Sequence, residues 1–207
     1  MKVLFCKTSY MKYYKGAGPW DVPQNGGSYV EKYGWGHEEY NFEPVELEDG
    51  FYLLGFVETK STSSGHVNDL HLEKIAGCQL LKKAPAVDDV LVIWCATDAR
   101  GTLVVGWYQH ATVFRQYQEA EFENDYIQGY NVLARKEDCV LLPHDKRNWN
   151  GWHVPLAKKK HYGFGQALVW YLTEKEAQEY LQRVTAAIAA YDGENWIDQY
   201  PDRDEYL

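Results

Sequence analysis

The chain has four cysteines and no CxxC pair, no apolar run near the roughly 18 residues of a membrane span, and no basic excess. Each lack excludes something. Cys6, Cys78, Cys95 and Cys139 are scattered, three of them in strand-like apolar contexts, so they read as reduced core thiols rather than a zinc or disulfide framework. Residues 1–10 lack the basic start and apolar run of a signal peptide, and with no membrane segment a soluble, cytoplasmic protein is expected. Also missing are a GxSxG elbow, a Walker loop and an HExxH pair. Gly163-Phe164-Gly165 precedes a strand pattern, not a helix, which removes a dinucleotide loop. No cofactor or metal is expected.

The formal charge of −9 argues against a sequence-blind DNA-coating protein, which needs a basic surface to displace counterions. The charge is uneven, however. Six acidic residues against Arg203 give the last sixteen positions a net −5, leaving −4 for the rest, so residues 1–192 are read as the domain and 193–207 as an acidic tail. Basic residues gather at Lys82-Lys83, Lys146-Arg147 and Lys158-Lys159-Lys160. Singly these read as solvated surface, and together they leave room for one phosphate-contacting face, with Lys158, Lys159 and Lys160 its candidates.

What the chain does have is aromatic content, 8 Trp and 17 Tyr in 207 residues, and a clear β-hairpin. Val90–Ala96 is a continuous apolar and β-branched run, Asp98 and Gly101 suit the first and last places of a type I turn, and Leu103–Tyr108 returns as the partner strand. Gly106 inside that strand marks a bulge or a close approach by backbone or ligand. Trp107, Tyr108, Gln109, His110 and Thr112 follow, so a pocket lined by Trp107 is expected, against packing as the plainer role for any single aromatic. Lys2–Lys7 reads as an opening strand, Tyr40–Leu47 and Phe51–Thr59 as a hairpin, Leu70–Gln79 as a strand or short helix, and Asp138–Leu142 and Ala167–Leu172 as further strands. Tyr10–Gly36 reads as an aromatic-rich ordered loop. Thr173 is placed as the N-cap of a helix over Glu174–Tyr191, stopped by Gly193.

One enzymatic pattern stands out. Asp49 with Glu58-Thr59-Lys60 matches the carboxylate, carboxylate and lysine set of a metal-dependent nuclease, although Asp49 falls in a hairpin turn where Asp is common anyway. The seven histidines are dispersed.

VLFCKTSY (Val3–Tyr10) followed by DVLVIWCATDARGTLVVGWYQHATVF is similar to the arrangement in YTH, EVE and other PUA-like domains. GGSYVEKYGWGHEEYNF (Gly26–Phe42), VVGWYQHATVFR (Val104–Arg115) and GFGQALVWY (Gly163–Tyr171) resemble an N-terminal domain fused to HNH-type or other restriction-like nucleases in bacteria, over under a third of the residues. The resemblance implies an α+β, mainly-β single domain with a barrel-like sheet and flanking helices. It further implies a non-catalytic reader of a modified, methylated or flipped base in a restriction or phage-defence system, on DNA ahead of RNA, with cleavage supplied by a nuclease partner. Stacking would fall to Trp107, Tyr10 or Trp35, edge reading to Ser9, Asn41 and Gln166, with Lys7, Ser28, Tyr29 and Tyr108 in the matching blocks. Ala167-Leu168 stand where the pattern has Ser-Asn. The other function classes are the Asp49/Glu58/Lys60 nuclease and a protein-binding component of a defence system whose aromatic surface meets another protein.

Overall fold

The computed structural model describes residues 1–25, 36–59, 69–122 and 126–204. Its strands are β1 (Lys2–Thr8), β2 (Pro44–Leu47), β3 (Gly50–Gly55), β4 (Ala86–Asp98), β5 (Gly101–Glu121), β6 (Ile127–Arg135), β7 (Cys139–Leu141) and β8 (Val169–Trp170). They form one sheet in the order β2-β3-β6-β5-β4-β1-β8, with β7 also on β5. Among the described residues two α-helices accompany it, α1 (Ala157–Lys160) and α2 (Gln178–Ala189), along with several 3-10 turns.

The centre is the expected hairpin, longer than expected. β4 pairs antiparallel with β5 from Asp98↔Gly101 to Ala86↔Phe114, and the turn between them is held by Asp98 Oδ1 accepting the Arg100 amide at 2.7 Å. β5 runs 21 residues, against β4 and β7 in its first half and β6 in its second. Register shifts near Val90 and positive φ at Asp89 and His110 mark bulges that bend it. Gly106 is explained by a close backbone approach, since a Cβ there would overlap the Val140 carbonyl oxygen of β7 and the Phe42 ring.

β1 inserts on the other side of β4, parallel to it from Lys2↔Val90 to Thr8↔Ala96. Both of its faces are buried. Leu4 and Cys6 join a core with Tyr14, Phe42, Trp94 and Tyr108, whereas Val3 and Phe5 join a second core with Trp107, Trp152, Tyr180 and Val184, the last two from α2. A strand buried on both sides needs an unbroken apolar run, which is what KVLFC provides.

The barrel-like sheet is corrected to an open one. β2 and β8 are its two edges and do not meet; β8 contributes two residues, and β2 four, the first a proline without an N–H to donate. The C-terminal helix is where the apolar spacing put it, but Thr173 does not cap it. A 3-10 turn at Lys175–Ala177 leads into α2, and neither start has a side-chain cap. The described part of the 193–207 segment, residues 193–204, is mostly exposed but anchored at a few points. Asn195 bonds Leu141 N at 3.0 Å and Cys139 O at 2.9 Å, Ile197 is buried, and Trp196 stacks on Tyr13. All four cysteines are buried and unpaired, and burial pushes the Cys6, Cys95 and Cys139 thiols up. No helix among the described residues is long and apolar enough to cross a membrane.

Candidate functional site

The expected site at the end of the hairpin is core. Trp107 is 1% exposed, its ring 5.6 Å from that of Trp152 and edge-on to Tyr191 at 5.3 Å, so no pocket opens on it. It alternates onto the face that α2 covers. Tyr108 points to the opposite face, fully buried between Trp94 and Phe42, and its hydroxyl donates to the Asn41 carbonyl.

The remaining candidates scatter. Tyr10 is buried; its hydroxyl accepts from Arg100 at 3.0 Å, and the Arg147 guanidinium sits 5.6 Å from its ring centre. Lys7 is half-buried, and burial lowers its amine from the usual range. Gln166 is exposed, as are Lys158, Lys159 and Lys160 on α1. Arg147 is not the surface charge expected of it. It is wholly buried and donates to the carbonyls of Leu142, Met11 and Lys12 at 3.0, 2.6 and 2.7 Å, pinning the loop after β1. Ser28, Tyr29, Trp35 and Lys60 lie outside the described residues. Asp49 is committed to the hairpin, taking hydrogen bonds from Tyr52 at 3.0 Å and Arg135 at 2.5 Å; the Tyr52 hydroxyl and then the Arg135 charge hold its carboxyl below the usual range. Among the described residues no three His, Cys, Asp or Glu are grouped to hold a metal ion.

Polar groups converge instead where β1 ends. Ser9 and Thr8 are buried there, and the Thr8 hydroxyl has no hydrogen-bond partner among the described residues. The Ser9 amide donates at 2.9 Å to Oε1 of Glu38, a carboxylate only 5% exposed on the 3-10 turn His37–Tyr40. Burial pushes the Glu38 carboxyl up to about 7, the Ser9 contacts oppose this, and the Glu58 and Glu39 charges add to it. Near neutral pH it therefore either accepts or donates a hydrogen bond.

Two buried asparagines build the neighbouring wall. Asn41 takes the Phe56 amide at 2.7 Å and gives to the Phe56 carbonyl at 3.1 Å, while Asn131 does the same for Val57 at 3.0 and 2.9 Å. A segment without a strand partner thus has its backbone satisfied by side-chain amides. The clamp fixes the Phe56 ring, which stacks on Tyr117 at 4.9 Å and 18° and lies 5.2 Å from His37. The Tyr117 hydroxyl in turn accepts the Thr59 amide at 2.7 Å. Asn41 was expected to read a ligand edge; its amide is already spent on Phe56. Nothing in the sequence marks Glu38, Phe56, Tyr117 or Asn131 except an acidic pair, Glu38-Glu39, inside an otherwise aromatic stretch.

The same 3-10 turn thus carries a carboxyl of switchable protonation and His37, which borders the Phe56–Tyr117 stack, and such groups suit a planar heterocycle with N–H and C=O groups along one edge. No protein-family model, curated protein or solved structure matches the chain.

Proposed function

We propose that this chain is a non-catalytic nucleic-acid-binding module that takes up a modified or flipped base near the end of β1, on DNA in preference to RNA, with any cleavage supplied by a partner nuclease. The observation that supports it best is the buried Glu38 carboxyl, held by the Ser9 amide on the turn whose His37 borders the Phe56–Tyr117 stack. A carboxylate accepts from an exocyclic amino group and, when protonated, donates to a ring nitrogen or carbonyl, so it discriminates between base edges. Stacking on an aromatic face contributes about 1–3 kcal/mol per base, comparable to the few kcal/mol needed to unstack one. The exposed Lys158–Lys160 cluster is the proposed phosphate contact, positioning the strand without reading it.

The test is a titration of the full chain with oligonucleotides carrying methylated or hydroxymethylated bases, followed by anisotropy. For the preferred base, Glu38→Gln is expected to weaken binding about tenfold or to change which base is preferred, with the melting curve intact. Lys158→Ala with Lys159→Ala is expected to weaken all sequences alike and flatten the salt dependence. No binding of any oligonucleotide at low salt, or binding indifferent to Glu38→Gln, would overturn the assignment.

A further inference from the structure

A groove lies between the end of α2 and the loop after β7. It holds about 440 Å³ and is lined chiefly by Trp149, Trp152, Tyr191, Pro143, Ala187 and Ala190. We infer that this groove binds a proline-rich peptide in the extended polyproline II form, with a basic residue flanking the prolines. The inference stands apart from the base-binding reading.

The rings of the groove are fixed in advance. Trp149 is 55% exposed, yet it and Trp152 stand three residues apart on the successive 3-10 turns Lys146–Asn148 and Asn150–Trp152, a spacing at which side chains eclipse. Their rings meet edge-on at 5.2 Å and 74°. A Cβ on Gly151 would overlap the Trp149 ring, so that ring lies against bare backbone. Tyr191 is held in a similar way, its hydroxyl donating to the Glu194 carbonyl at 2.6 Å and sitting where a Cβ on Gly193 would come within 2.7 Å of it. Trp152 rests on the core residue Trp107 at 5.6 Å, while Ala187 and Ala190 are too short to fill the space beside the rings. Rings ordered before binding spare an occupant that cost.

The wall between the rims offers few acceptors. The Trp149 indole N–H has no hydrogen-bond partner among the described residues, and Pro143 and the two alanines have no polar side-chain atoms. A sugar or another hydroxyl-rich ligand brings O–H groups that such a wall leaves unsatisfied. Proline brings an apolar ring and an accepting carbonyl and has no N–H to satisfy, and a polyproline II helix is extended before it binds. The carboxylates stand at the rim instead. Glu194, Asp192 and Asp145 are exposed, and after burial it is these charges that raise the Tyr191 phenol. Lys146 also lines the groove, but it is paired with Asp145 at 3.3 Å. The remaining charge is negative, which attracts an arginine or lysine beside the prolines and repels the phosphates of a nucleic acid.

The test is calorimetry and NMR on the full chain with a capped polyproline peptide ending in arginine. Three comparisons go with it: the same peptide with alternate prolines replaced by alanine, the same peptide ending in glutamate, and a single-stranded oligonucleotide. The arginine-ended peptide is expected to saturate and to shift the Trp149 indole and Tyr191 ring resonances. The alanine version should bind about tenfold more weakly, having lost its pre-formed helix and its rings, and the glutamate-ended one a few-fold more weakly. Trp149→Ala should weaken the arginine-ended peptide about tenfold with the melting curve intact. Glu194→Gln should narrow the difference between the arginine and glutamate endings. If Trp149→Ala does not fold, the wild-type ring shifts and the peptide comparisons decide. The oligonucleotide is expected to leave the Trp149 resonance in place. No saturable binding of the polyproline peptide, equal binding of the alanine version or of the glutamate-ended one, or displacement of the peptide by the oligonucleotide would overturn the assignment.

Discussion

The two faces of the sheet solve different problems. Under α2, Val3, Phe5, Ile93, Trp107, Trp152, Tyr180 and Val184 meet through apolar area alone, and the buried Trp107 indole N–H has no hydrogen-bond partner among the described residues. On the opposite face, Glu38, Asn41 and Asn131 are just as buried, but their polar atoms reach backbone groups at fixed distances. Apolar contact is non-directional and tolerates adjustment; buried hydrogen bonds fix positions and cost heavily when broken. The first face holds the molecule together, and the second fixes the position of the segment after β3.

The largest effect expected from breaking that contrast is on the packed face. Trp107→Ala should cost about 3–5 kcal/mol, because a ring enclosed by Trp152 and Tyr191 leaves a cavity that cannot collapse. Chemical denaturation reads it, and a mutant with unchanged stability would remove Trp107 from the core. Next comes Asn131→Ala. Stranding the Val57 amide and carbonyl in a buried site should cost about 2–4 kcal/mol. The same substitution should also loosen Phe56, visible as lost protection of the Val57 amide in hydrogen exchange.

A smaller and more diagnostic effect belongs to Glu38. Its folded value of about 7 lies above the ordinary carboxylate value of 4.5, so the folded state binds the proton more tightly. Stability from this group is fully present below pH 4.5 and is lost as pH rises through about 7, a span worth at most about 3 kcal/mol. Glu38→Gln should flatten the decline between those values, and identical pH profiles for the two proteins would show that the carboxyl is not perturbed. The smallest effect is at Asp49. Its carboxylate is solvent-facing in the β2–β3 turn, and Asp49→Ala should leave the melting temperature and any oligonucleotide affinity unchanged. A loss of nucleic-acid cleavage on that substitution would revive the nuclease alternative.

The contrast also explains which parts could be read in advance. The β4–β5 hairpin, β1, the β2–β3 hairpin and α2 announce themselves because one kind of residue recurs with a regular period or run. β6 does not: in IQGYNVLAR the buried Gln128 and Asn131 interrupt the apolar pattern, and they are buried because they serve the backbone of distant segments. The parallel β1–β4 pairing depends on residues far apart and leaves no local mark. Trp107 misled for a related reason. Its Gly-Trp-Tyr setting at the end of a strand suits a pocket as well as a core, and only the position of α2 decides between them. Glu38 was hidden the other way round, since a carboxylate is normally solvated and nothing next to it in sequence shows that Ser9 covers it.

The place of β1 has a consequence for the order in which the chain folds. A hairpin of neighbouring strands closes a short loop and forms early, whereas a central strand whose residues 2–8 pair with residues 90–96 must wait for a long closure. Until it docks, β4 is an edge strand with an exposed ladder of N–H and C=O groups and a run of Val, Leu, Ile and Trp, the kind of template another copy could pair with. Pulse-labelled exchange should therefore protect the amides shared by β4 and β5 before those of β1. If β1 is protected first or simultaneously, that order is wrong. Where the order holds, substitutions that slow β1, such as Phe5→Ala, should raise aggregation during refolding by more than their loss of equilibrium stability accounts for.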